Sequence, residues 1–174
     1  MISTRVDLAK YFNELGFKVG AEIGVAAGKY SRVFCWNIPD IHLYCIDPWK
    51  SDPNDLCDYG DENISNRAHA KKILKPFNVT FIEKDSIKAL EDFEDNSLDF
   101  VYIDANHSFD YVIQDLINWN KKVKSGGIIS GHDYYRLRNF GVILAVDTYI
   151  KAHGITTFNI LSGDHTPSFY WRKP

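Results

Sequence analysis

The chain has 174 residues, 45% hydrophobic and 25% charged, with a formal net charge of −3. That length suits one domain with a sizeable core, and the weak negative charge argues against a nucleic-acid partner held by bulk electrostatics. The longest apolar run, Val142–Val146, is far short of the ~20 residues that cross a bilayer, and the opening MISTRVDLAKYFNELG lacks the apolar centre of a signal peptide. A cytoplasmic enzyme or binding domain, with no membrane partner, is the expectation. Cys35, Cys45 and Cys57 are odd in number and lack metal-site spacing. Cys35 and Cys45 sit in apolar surroundings and read as buried thiols rather than a disulfide.

In chain order, Val6, Ala9, Phe12 and Leu15 recur at helical spacing, and Gly16 ends that helix. VGAEIGV reads as a strand, KYSRVFCWNI as a short helix stopped by Pro39, and IHLYCID as a second strand. A long polar loop, PWKSDPNDLCDYGDE, precedes a helix across Asn63–Lys75. VTFIEKD and LDFVYID are the third and fourth strands. Phe109, Val112, Ile113, Leu116, Ile117 and Val123 mark an amphipathic helix, closed by Gly126-Gly127. GIISGHD is the fifth strand, GVILAVDTYIKAHG a helix with a stop at Gly154, and TTFNIL with SFYWR a terminal antiparallel pair. Short buried strands alternating with helices predict one α/β domain over residues 1–174. Its sheet is doubly wound, seven-stranded and mostly parallel, with a terminal antiparallel strand. Trp36, Trp119 and Trp171 are expected to serve packing, and His42, His69, His153 and His165 to be structural or solvated.

In such sheets ligands bind outside the carboxyl ends of the strands. The polar residues falling there are Glu22 with Gly24, Asp47, Asp85 with Ser86, Asp104, and His132 with Asp133. The first turn, AEIGVAAGKYS, is E-x-G-x-x-x-G rather than the dinucleotide fingerprint, and Glu22 would put negative charge where a diphosphate needs a helix N-terminus. A cationic ligand suits it better. Asp47 can accept both hydroxyls of a ribose, and Asp85-Ser86 can reach an adenine edge. An adenosine carrying a positive charge instead of phosphates is S-adenosylmethionine. Helix caps and solvated loop acids are the plain alternative for each residue taken singly. Asp104 facing His132 and Asp133 can hold a divalent ion with open positions, Mg²⁺ preferring oxygen and a histidine favouring Mn, Fe or Zn. Such an ion would lower a hydroxyl's pKa. His107, three residues after Asp104, is placed to act as general base; capping the next helix is its plain alternative. The aromatic stretches Trp49–Asp58 and Tyr134–Phe140 flank the crevice as a candidate substrate lid.

Three segments, AEIGVAAGKYS, YIDANHSFDYVIQDLINWNKKVKSGGIISGHDYY and GVILAVDTYI, resemble the class I S-adenosylmethionine-dependent methyltransferases. More narrowly, the chain is similar to the catechol O-methyltransferase-like group called methyltransferase domain 24. The resemblance implies that Glu22, Gly24, Gly28 and Ser31 surround the methionine part of the cofactor. It implies that Asp47 binds the ribose, with Pro48 and Trp49 near the adenine, and that Asp85 and Ser86 contact the adenine. Asp104, which also borders the cofactor, His132 and Asp133 match the group's metal positions, and His107 falls where catechol-type members place a catalytic lysine. Two departures stand out: Ala105-Asn106 where many relatives have Gly-Asp, and His132 where metal-dependent members carry a carboxylate. The implied activity is O-methylation of a small hydroxylated acceptor of sugar or phenolic type, with a divalent metal as an optional aid. Asp104 and His107 carry the chemistry in this reading. A homo-oligomer is compatible with it. A nicotinamide-dependent oxidoreductase and a non-catalytic cofactor-binding module remain as alternatives.

Overall fold

Strand residues two apart pack into one core, and those between them into another. Ala21, Ile23, Val101, Ile103 and Ile129 belong to one buried cluster, and Phe100, Tyr102 and Ile128 to a second. That alternation is the period of a pleated strand buried on both faces. The computed structural model describes residues 2–51, 60–137 and 140–174. Its strands are β1 (Val19–Ile23), β2 (His42–Ile46), β3 (Val79–Ile82), β4 (Leu98–Ile103), β5 (Val123–Gly131), β6 (Asn159–Leu161) and β7 (Ser168–Arg172). They form one sheet in the order β3-β2-β1-β4-β5-β7-β6. The first five pair in parallel, and β7 runs antiparallel to both of its neighbours, as the sequence predicts.

The helices are α1 (Arg5–Glu14), α2 (Lys29–Asn37), α3 (Glu62–Leu74), α4 (Ser86–Ala89), α5 (Phe109–Lys122) and α6 (Val142–His153). α1, α2 and α3 bring Phe12, Phe34 and Leu74 to one core; α5 and α6 bring Leu116, Trp119 and Val146 to the other. α1 starts in a capping box: Thr4 Oγ1 accepts from the Asp7 N–H, and Asp7 Oδ2 accepts from the Thr4 N–H, both at 3.1 Å. The strand order reverses between β1 and β4, which opens a crevice at their carboxyl ends.

Three features differ from the sequence reading. α5 ends at Lys122, and Val123 with Gly126-Gly127 lies inside β5. The chain's last residues cause this, because Lys173 exchanges backbone bonds with Gly126 and Gly127 and so pulls that stretch into extended form. α4 and the 3₁₀ turn Leu90–Asp92 are too short to show a periodicity. Trp36 is 62% exposed rather than packed, with the Arg32 guanidinium 4.5 Å above its ring. Trp119 and Trp171 are fully buried, and Cys35 and Cys45 are buried free thiols. Cys57 lies outside the described residues. Among the described residues no helix is long and apolar enough to cross a membrane.

Candidate active site

A cleft of about 870 Å³ runs along the carboxyl ends of β1 to β5. Its floor is the turn after β1. Gly24 has φ +90°, and a Cβ there would stand 2.0 Å from the Asp104 carbonyl oxygen. Only glycine lets this turn lie against the exit of β4. Gly28 also has positive φ, but its added Cβ would meet Ala70 and Leu74 of α3 at 3.0 to 3.2 Å, so it faces that helix. Glu22 is 1% exposed and accepts from the Ser31 hydroxyl of α2. Burial pushes its carboxyl up to about 8, against the Ser31 bond. At neutral pH the free protein therefore holds it mostly protonated, without the charge expected at this turn. Glu22 and Gly24 line the cleft; Gly28, Ser31 and Trp49 support it from behind.

Asp47 ends β2 and laces two loops together. Its Oδ2 accepts from the Val25 and Ala26 N–H groups at 2.9 and 2.8 Å, and Oδ1 from the Trp49 N–H at 2.7 Å. The Trp49 indole donates to the Ala26 carbonyl at 2.9 Å. Asp47 and Pro48 line the cleft. At the end of β3, Asp85 bonds Lys88 near the surface, at 2.9 Å. Ser86 points inward, donating to Asp115 and accepting from the Trp119 indole at 2.8 Å. Asp115 is a cleft residue that the sequence reading misses. Its signal is an acid within the Val112–Leu116–Trp119 stripe, at the spacing that faces the core.

At the other end of the cleft, β4 and β5 deliver the strand-end acids side by side. His107 Nε2 lies 2.7 Å from Asp133 Oδ2 and 3.8 Å from Asp104 Oδ1. His132 Nδ1 lies 3.2 Å from Asp133 Oδ1 and 3.5 Å from Asp104 Oδ1, and its Nε2 pairs with Thr166 Oγ1 at 2.9 Å. Asp133 has φ +54°, unusual for a residue with a Cβ, and of a kind that clusters at functional sites. His107 is 9% exposed and stacks on Phe140 at 4.6 Å. Among the described residues neither of its ring nitrogens has an aligned hydrogen bond, so the short approach to Asp133 is an ion contact. The buried Nδ2 of Asn106 is also without a partner among the described residues.

Burial lowers the pKa of His107 and His132, but the two carboxylates outweigh it and hold both near 9. Burial works against ionisation of Asp104 and Asp133, yet the histidines hold both below the ordinary carboxylate range. Donor atoms of Asp104, His107 and Asp133 lie within 4.8 Å of one another, a set that suits a divalent ion accepting nitrogen and oxygen. His132 Nδ1 reaches the same two carboxylates, and its ring is anchored through Nε2 by Thr166. Of the two lid stretches, residues 52–58 and 138–139 lie outside the described residues. Phe140 covers His107, and Tyr135 meets Phe140 edge-on at 5.9 Å.

Known proteins carry the same arrangement of strands. A protein provisionally named as a caffeoyl-CoA O-methyltransferase, from Staphylococcus aureus, superposes with a TM-score of 0.68 at 22% identity, over 96% of this chain and 82% of that one. An O-methyltransferase from Bacillus cereus, solved in complex with SAH, gives 0.69 at 12% identity, over 97% and 80%. In sequence, 128 residues are 30% identical to the uncharacterised protein y4gI of Sinorhizobium fredii, covering 70% of this chain. The chain spans 14% of the length of that relative. The family model described as a methyltransferase domain matches residues 21–134, from the β1 turn to the His-Asp-Tyr end of β5. The chain therefore belongs to the methyltransferase domain family, and its fold is that of the O-methyltransferases it superposes on.

Proposed function

We propose that this chain moves the methyl group of S-adenosylmethionine to an oxygen of a small hydroxylated acceptor, a sugar or a phenol. The observation that carries the reading is His107, buried between Asp104 and Asp133 beside the Gly24 turn, with ring nitrogens free of aligned hydrogen bonds among the described residues. The cofactor would lie from Gly24, past Asp47, to Ser86, with its sulfonium at the Asp104 end. The sulfonium is already an activated donor, so the protein mainly aligns acceptor oxygen, methyl carbon and sulfur. As the oxygen–carbon bond forms, the carbon–sulfur bond breaks and its electron pair returns to sulfur as a thioether. His107 takes the acceptor's hydroxyl proton in its neutral form, which is the minor form at neutral pH until the charge of the two carboxylates is offset. Asp104 and Asp133 orient the imidazole and stabilise its charged form.

Asp104, Asp133 and Nδ1 of His132 would hold a divalent ion, with His107 left to take the proton. When bound, the ion lowers the pKa of the hydroxyl and offsets the carboxylate charge that keeps His107 protonated. A vicinal diol, as in a catechol or sugar, is the acceptor that best fits such a site.

The test is calorimetric titration with S-adenosylmethionine and with NAD, followed by product assay over catechols and sugars with and without chelator. Saturable binding of the sulfonium cofactor alone, with transfer lost in Asp104→Ala, is the expected result. No binding would overturn the reading, and near-normal turnover of Asp104→Ala would remove the assigned chemistry. Binding without transfer to any acceptor would leave a binding module instead.

A further inference from the structure

The transfer chemistry leaves Asp115 without a role, although this acid is 3% exposed and forms part of the cleft wall beside Ser86. It sits on the buried stripe of α5, where an apolar residue would be the ordinary choice. Among the described residues its hydrogen-bond partner is the Ser86 hydroxyl. The direction of that bond is set by Trp119. An indole N–H can only donate, so Ser86 Oγ accepts from Trp119 at 2.8 Å and sends its own single proton to Asp115 Oδ1. The three side chains make a one-way relay ending on an acceptor; Oδ2 takes no hydrogen bond among the described residues, and the residue lines the cleft. Burying a carboxyl with so few donors is costly, and burial pushes its pKa up to about 7. An N–H donor arriving from the cleft would relieve that cost.

We propose that Asp115 is a specificity-determining residue that accepts from the exocyclic amine of the cofactor's purine and so rejects a 6-oxo purine. The inference rests on the reading of the cleft as an S-adenosylmethionine site. Ser86 stands at the end of β3, the strand beyond Asp47, where the purine lies in that reading. A 6-oxo purine would present an oxygen to Asp115 Oδ2, placing two acceptors face to face. The relay keeps the carboxyl from rotating away, because Oδ1 is tethered to Ser86 and Ser86 to Trp119. Lys84 and Asp85, also on the wall here, point to other partners: Lys84 pairs with Asp92 at 2.7 Å and Asp85 with Lys88.

The experiment compares dissociation constants of S-adenosylhomocysteine and S-inosylhomocysteine by calorimetry, for the wild-type chain and for Asp115→Asn. At about pH 8.5, above the Asp115 pKa of about 7 so that the carboxyl is an acceptor only, wild type is expected to prefer the adenine compound by about tenfold or more, the worth of one hydrogen bond to a charged acceptor. In Asp115→Asn the amide offers a donor as well as an acceptor, and the preference is expected to fall to within about twofold. Equal binding of both compounds by wild type would overturn the inference, and needs no variant to fold. So would an Asp115→Asn chain that weakens both compounds by the same factor, the mark of a purely structural acid. Failure of wild type to bind S-adenosylhomocysteine at all would overturn the cofactor reading as well. Binding without discrimination would overturn only this inference.

Discussion

Glu22 shows how far a residue's type can mislead about its charge. Its pKa rises from 4.5 for a free carboxyl to about 8 in the fold, chiefly through burial. Between those values the folded chain keeps a proton that the unfolded chain releases. The stabilisation it brings is complete below the lower value and is lost as pH rises through the upper one, at up to about 1.4 kcal/mol per pH unit. Glu22→Gln keeps an acceptor for Ser31 and never ionises. Thermal unfolding followed across that pH window should show wild type losing ground to the variant as pH rises; parallel curves would refute the assignment. His107 makes a second prediction at this scale. His107→Ala should bind S-adenosylhomocysteine within about twofold of wild type while kcat falls by about 10² to 10⁴. A comparable loss of cofactor affinity would mean that the ring positions the cofactor instead. Glu22, Asp104, His107 and Asp133 were all legible as polar residues at strand ends. Their ionisation was not, because it depends on burial and on neighbours distant in the chain.

At the scale of elements, the loops after β1 and β2 act as one unit through Asp47. Asp47→Ala should unlace Val25, Ala26 and Trp49 together and weaken S-adenosylhomocysteine binding by at least about tenfold, as three charge-assisted bonds are lost. Calorimetry checks it, and unchanged affinity would show that the loops hold without the acid. Gly24→Ala should cost more than about 3 kcal/mol, since backbone strain and collision with the Asp104 carbonyl coincide. Urea denaturation gives that number directly. Helices and strands were readable here because their apolar periods are local. The boundary between α5 and β5 was not, because a strand partner from the last residues of the chain overrode a glycine pair that locally reads as a helix stop.

At the scale of the molecule, the cleft exists because β1 and β4 are neighbours whose connections leave in opposite directions. A ligand there touches several strand ends at once, so binding should stabilise the whole sheet. S-adenosylhomocysteine at about 100 times its Kd should add about 2.7 kcal/mol and raise Tm by roughly 5 to 10 °C. NAD at the same concentration should not move it. A thermal melt with each ligand decides the matter, and a shift with NAD alone would restore the oxidoreductase alternative.

By itself the sequence determined the alternation of strands and helices, the parallel sheet, and the row of acids at its carboxyl edge, because hydrophobic period and strand-end position are properties of neighbouring residues. Only the tertiary structure decided which of those acids carry charge, that His107 and His132 both reach the Asp104–Asp133 pair, that Gly28 and Trp49 stand behind the cleft, and that Asp115 enters it. Each of these depends on which elements approach across the sheet and on how much water that approach excludes.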